Sequence, residues 1–175
     1  NRLLWRDSSI DGLKTGHTEA AGYCLVASSK RRGMRLISAV LGAKSDDARA
    51  RESQKLFSYG FRHFETKKIY SAGELIKENA ALWYGEEDFL NLTVENDITL
   101  TYPKGEKKNL SAQITVDNEI SAPITAGQVL GSLEITLDGK TMTQVSLVAE
   151  KDIAEAGFFS RFFDWILLFF TQLLS

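Results

Sequence analysis

The chain has 175 residues, a formal net charge of -2, 43% hydrophobic residues and 25% charged ones. That length holds one or two domains with a real core in each, and the composition excludes a disordered chain. The near-neutral charge gives no electrostatic reason to expect nucleic acid as a partner. A single cysteine, Cys24, excludes an intramolecular disulfide, and its place in an apolar run predicts a buried, inert thiol. His17 and His63 are the only histidines. With no metal-ligand spacing and no glycine loop to cradle phosphates, the sequence predicts neither a metal nor a cofactor.

In chain order, Leu3-Leu4-Trp5 is a short apolar segment followed by a turn, and Trp5 is expected to pack against residues outside this chain. Residues 13–18 read as a strand that contains Lys14-Thr15-Gly16. On a strand this tripeptide suits the anionic end of a substrate. Lys14 supplies a fixed cation, Thr15 a hydroxyl that can donate to a carboxylate, and Gly16 room for a substrate backbone to lie close. Strand alternation sends Lys14 and Thr15 to opposite faces, so both can serve one site only at an exposed edge or a local twist.

Residues 23–30 and 34–42 form a predicted hairpin closed by Arg31-Arg32-Gly33. Leu25-Val26-Ala27 and Leu36-Ile37 are apolar at consecutive positions, which predicts that helices cover both sheet faces. Lys30, Arg31, Arg32 and Arg35 make the one dense basic patch, read as a solvated turn with attraction to an anionic polymer or lipid as the alternative. A helix is predicted over residues 46–59. Ser45 is its N-cap, Asp46 and Asp47 complement the helix dipole, Gly60 ends it, and Leu56 packs on the sheet.

Residues 67–152 change in character. Ile98-Leu100-Tyr102, Leu110-Ala112-Ile114-Val116 and Leu133-Ile135-Leu137 alternate with mostly polar positions, as half-buried antiparallel strands do. Turns are predicted at Pro103-Lys104-Gly105 and at Asp138-Gly139. The reading is a small antiparallel β-sandwich that holds no cluster of acid, base or nucleophile, and a structural spacer is favoured over a catalytic domain.

Residues 153–175 read as an amphipathic helix. On a wheel of 100° per residue the polar side chains occupy an arc of about 120°, and the apolar ones, among them Phe158, Phe159, Phe162, Phe163, Trp165, Ile166, Phe169 and Phe170, fill about 200° opposite. Its longest apolar run falls far short of the roughly twenty residues that span a bilayer, so the helix is expected to lie in a membrane surface. A terminal helix packed on the protein's own core is the alternative.

The run from Asp11 through the Lys-Thr-Gly tripeptide to Ser28, then Met34 to Gly42, Arg49, Glu52-Ser53 and Gly60-Phe61-Arg62, resembles the low-molecular-mass penicillin-binding proteins that act as D-alanyl-D-alanine carboxypeptidases. The resemblance continues through the β region to the last helix. It implies an α+β fold over residues 1–66, the C-terminal part of a penicillin-recognising domain of the serine transpeptidase and β-lactamase type. An all-β sandwich over 67–152 and a membrane-anchor helix over 153–175 would follow.

The implied activity is removal of the terminal D-alanine from peptidoglycan pentapeptides through a serine acyl-enzyme, with β-lactams as inhibitors acting on the same serine. The implied site places Lys14 in catalysis and, with Thr15 and Gly16, in binding the substrate's terminal carboxylate. The backbone N–H of His17 would be one donor of the oxyanion hole. Arg49 matches an arginine near the substrate carboxylate, with a plain surface arginine as the competing reading. The implied location is the periplasmic face of the bacterial inner membrane, held peripherally.

The chain departs from the family pattern in one respect, since no Ser-x-x-Lys, Ser-x-Asn or Tyr-x-Asn occurs in it. It is therefore expected to be the C-terminal portion of a longer protein, inactive without the nucleophile. A non-catalytic membrane-docking module and a β-lactamase of the same fold are the alternatives, and the β region and anchor argue against the second.

Overall fold

The computed structural model describes residues 1–157, a mostly β-sheet chain with few helices. Two compact units divide it: Asn1–Lys67 with Leu100–Lys107, and Lys68–Thr99 with the chain from Lys108 on. The aromatic face expected over residues 158–170 lies outside the described residues. No helix among those described is long and apolar enough to cross a membrane.

The first unit opens on the single turn α1 (Leu3–Arg6), followed by β1 (Ile10–Thr18), β2 (Gly22–Arg31) and β3 (Met34–Ala43). These strands form an antiparallel sheet in the order β1-β2-β3. β1 starts earlier than the expected residue 13, because Ile10 is buried and pairs with Ser29. The β2–β3 hairpin closes through Arg32 and Gly33 with φ of 50° and 83°, the left-handed pair that matches the twist of two-residue hairpins.

Helix α2 (Asp46–His63) begins as expected, with the Ser45 hydroxyl accepting from the Ala48 N–H at 3.1 Å. It does not stop at Gly60. A Cβ there would stand 2.5 Å from Leu36 Cδ1, so Gly60 serves the close approach of the helix to β3 and the helix runs one more turn. The buried stripe is Ala50, Ser53, Phe57 and Gly60, at helical spacing. Leu56, expected at this interface, sits one position round and is 49% exposed. Phe57 fills the core with Leu3, Ile10, Leu25, Ala27 and Ala50, and Leu36 and Phe61 pack at its edge.

Of the two sheet faces expected to be covered by helices, this chain covers one. Leu25 and Ala27 turn to α2, whereas Ile37, paired with Ser28 on the other face, is 66% exposed, and Leu41 is 75% exposed. Trp5 is 90% exposed among the described residues.

Asp7 fastens the chain entering β1 to the end of β2. Its carboxylate accepts from the Ser9 hydroxyl at 2.6 Å and from the Ser9 N–H and Arg31 Nη2. These bonds, the Ser9 hydroxyl foremost, hold its carboxyl below the usual carboxylate range. A depressed folded-state pKa gives stability that is present above the unfolded value near about 4 and is lost as pH falls through the folded one. Asp7→Asn is therefore expected to lower the urea midpoint at pH 7, and the difference is expected to close at a pH below the folded-state value, where both forms are neutral. An equal loss at both pH values would assign the effect to packing.

β4 (Phe64–Tyr70) pairs with β7 (Ile98–Pro103), and the division between units falls within both strands. Residues 100–107 group with the first unit. The second unit holds β5 (Leu75–Ala81), β6 (Phe89–Val94), β8 (Leu110–Val116), β9 (Val129–Leu137) and β10 (Lys140–Ala149), in one sheet ordered β5-β6-β10-β9-β8.

Asp138 and Gly139 close the β9–β10 hairpin with φ of 49° and 75°, as that dipeptide predicts. Leu130, Leu133, Ile135 and Leu147 are buried on the central strands. β8, expected to be half-buried, is an edge strand whose Ile114 is 41% exposed. Ile153 is buried and bridges Ile124, and Glu155 bridges Gly85. Residues 153–155 therefore belong with the β region, not with the segment that follows it.

Candidate active site

β1 is an edge strand with β2 as its one partner. In an antiparallel ladder successive residues direct their backbone groups alternately toward the partner and away from it, so half of the N–H and C=O groups of β1 have no strand to bond. β1, the strand of Lys14 and Thr15, is therefore an open edge of the sheet. The register places Lys14 opposite Val26, Thr15 opposite Leu25, Gly16 opposite Cys24 and His17 opposite Tyr23. Thr15 and His17 therefore share the α2 side of the sheet, and Lys14 lies on the other.

Lys14 is exposed, and its Nζ donates to the Thr15 carbonyl at 2.9 Å. The ammonium thus lies back along the strand edge with two further N–H donors to offer. Thr15 is half-buried and Gly16 exposed. The His17 ring stacks on Tyr23 with centroids 4.0 Å apart, which parks the imidazole against β2. Cys24, expected to be buried, is half-buried and free.

Arg49, on the first turns of α2, reaches this strand pair. One of its nitrogens, Nη1, donates to the Gly16 carbonyl at 2.9 Å and to the Cys24 carbonyl at 3.0 Å. The other, Nη2, is paired with Asp46, and the guanidinium carbon lies 5.5 Å from the Tyr23 ring centroid. With its side chain only 12% exposed, Arg49 is a built-in clamp rather than a surface arginine. Arg49 thus meets β1 at Gly16, beside Thr15 and His17, while the Lys14 side chain leaves the same strand from the other face.

Two members of this arrangement escape a reading of the sequence. Asp46 was assigned to the helix dipole, yet it holds Arg49 and also takes Arg2 Nε at 2.9 Å. The three-residue spacing of Asp46 and Arg49 on a helix was the available signal. Tyr23 supports both His17 and Arg49, and nothing local marks it. No group of three or more His, Cys, Asp or Glu among the described residues could hold a metal ion.

Two protein families match the chain. The model for penicillin-binding protein 5, C-terminal domain, matches residues 64–155, and that for D-alanyl-D-alanine carboxypeptidase matches residues 1–45. Over 174 residues the chain is 44% identical to the D-alanyl-D-alanine carboxypeptidase DacA of Escherichia coli (strain K12), covering 97% of this chain and 42% of that protein. It is 40% identical over 178 residues to DacA of Haemophilus influenzae, covering 100% of this chain and 45% of that protein. The chain thus spans less than half the length of these relatives. The crystal structure of penicillin binding protein 5 from Haemophilus influenzae superposes with a TM-score of 0.76 at 40% identity, covering 87% of this chain and 45% of that one.

Proposed function

The chain belongs to the penicillin-binding protein 5 family of D-alanyl-D-alanine carboxypeptidases, and on that premise we propose that it is the C-terminal part of such an enzyme. Residues 1–66 would form one side of a penicillin-recognising domain of the α+β type. The proposed reaction is hydrolysis of the terminal D-alanine from peptidoglycan pentapeptides through a serine acyl-enzyme, with β-lactams acylating the same serine. The serine and its partner lysine would come from sequence outside these 175 residues, since no Ser-x-x-Lys is present. The single observation that carries this reading is the open edge of β1, which presents Lys14, Thr15 and the His17 backbone along one line.

In this reading Lys14 swings from the Thr15 carbonyl to the substrate's terminal carboxylate or the β-lactam's acid group, and Thr15 donates its hydroxyl to the same group. Gly16 has no side chain to hold the substrate backbone away from the edge. The N–H of His17 stabilises the negative charge on the carbonyl oxygen as the serine adds, while its imidazole stays on Tyr23. Arg49 positions the Gly16 carbonyl. To bind the substrate carboxylate as well, it would exchange Asp46 for that group. The exposed Ile37 and Leu41 face would be covered by the rest of the domain.

Labelling with a fluorescent penicillin tests the reading. The complete protein is expected to be labelled and this chain alone is not. An unlabelled complete protein would leave a non-catalytic module as the better account, and rapid turnover of the label would favour a β-lactamase.

For location, the proposal is peripheral attachment to the periplasmic face of the inner membrane through the aromatic side of residues 158–175. What supports it is the sequence alone, a wide aromatic arc on a short helix. Deleting residues 157–175 is expected to move the complete protein from the membrane pellet to the supernatant with its activity on soluble peptide intact. Continued sedimentation with membranes would sink the anchor.

A further inference from the structure

We propose that the first unit carries a binding site for a phosphate group at the tip of the β2–β3 hairpin, remote from the β-lactam edge. A cavity of about 340 Å³ is lined there by Arg31, Arg32, Phe61, Glu65, Lys67 and Lys104, with Met34 and Phe64 among its apolar walls. The cations come from three separate stretches of chain, namely the hairpin tip, β4 and the turn after β7. Glu65 is the one acid in the lining, and its carboxylate stands 3.9 Å from Lys67 Nζ. Counting also Asp7, which holds Arg31 from behind at 2.7 Å, two positive charges remain unbalanced. A phosphate monoester or free phosphate carries a charge of about -1.5 to -2 near neutral pH and would balance them.

The donors are set before a ligand arrives. Arg31 is held by Asp7 through Nη2 and by the Ser9 hydroxyl through Nε at 3.0 Å, and its guanidinium carbon lies 4.7 Å from the Phe61 ring centroid. A guanidinium carries five N–H donors, so most of them remain for a ligand in a fixed plane. Lys104 Nζ is steadied by donating to the Phe61 carbonyl at 2.8 Å and keeps two N–H groups. Arg32 sits at the hairpin tip with no ion pair among the described residues, free to close on a bound anion by the paired contact that guanidinium makes with phosphate. The walls of Met34, Phe61 and Phe64 lower the local dielectric, which strengthens such contacts, and would take the first carbons of an ester.

The site stands apart from the proposed enzyme chemistry. Lys14 pairs with Val26, and Arg31 lies five residues further along β2, about 17 Å at the rise of an extended strand. The phosphate could come from solution or from the monoester head of an anionic lipid, and the experiment separates these.

Calorimetric titration of the complete protein with inorganic phosphate at low salt is expected to show saturable binding. Arg32→Ala and Lys104→Ala should each weaken it about tenfold, and Arg32→Lys less. Flotation with phosphatidylcholine vesicles, with and without phosphatidic acid, gives the second arm. A phosphatidic acid-dependent gain that is lost in the two alanine variants assigns the site to a lipid head. Phosphate binding without that gain assigns it to the free ion. Binding that does not saturate, or that the alanine variants leave unchanged, overturns the site. Penicillin labelling, expected to be equal in all variants, reports that each is folded, and its failure in the unmodified protein would count against the carboxypeptidase reading alone.

Discussion

Lys14→Ala in the complete enzyme is expected to slow acylation by penicillin and by pentapeptide by about 10²–10³-fold, the cost of removing one well-placed charge-stabilising donor. The loss should fall on the chemical step without loss of fold. Lys14 is exposed and its one hydrogen bond is to the carbonyl of its own neighbour, so little packing depends on it. Thermal midpoints of the variant and the parent should coincide. His17→Ala supplies the contrast, because a role carried by the backbone N–H survives loss of the imidazole and acylation should change only a few-fold. Stopped-flow acylation decides between the outcomes. An unchanged rate in Lys14→Ala removes that residue from the site, and a large loss in His17→Ala transfers a chemical role to the ring.

What could be read from the sequence was local. Ser45 before two aspartates marks a helix start, and Asp138-Gly139 marks a hairpin, because each acts on atoms a few residues away. The Lys14-Thr15-Gly16 strand was legible for the same reason. What escaped was set by partners distant in sequence. Gly60 resembles a helix stop until Leu36 is seen against it, and Leu56 and Phe57 compete for one interface that a hydrophobic pattern alone does not rank. Arg49 carries no local sign that it will hold the carbonyls of Gly16 and Cys24. Alternation in 110–116 announces a strand but not that it lies at an edge, which is a property of the sheet order. The placement of 100–107 with the first unit likewise depends on the pairing of β4 with β7.

That edge position governs the second large effect, expected for Gly131→Ala. Gly131 lies on β9 between Leu147 of β10 and Val116 of β8. A Cβ there would stand 2.5 Å from the Thr115 carbonyl oxygen and 3.1 Å from Val116 Cα, both backbone atoms. No rotamer change relieves such a contact, so a strand must move, at a cost of about 1–3 kcal/mol. β10 is fixed from both sides, by β9 and β6, whereas β8 has β9 alone. The strain is therefore expected to discharge by lifting β8. Amide exchange should lose protection over residues 110–116 while the β9–β10 hairpin keeps its own. The melting midpoint of the β unit should fall by about 4–8 °C for each kcal/mol lost. Protection lost equally across all five strands would mean that the sheet yields as one body. An unchanged exchange pattern and midpoint would mean that β8 and β9 stand further apart than 2.5 Å implies.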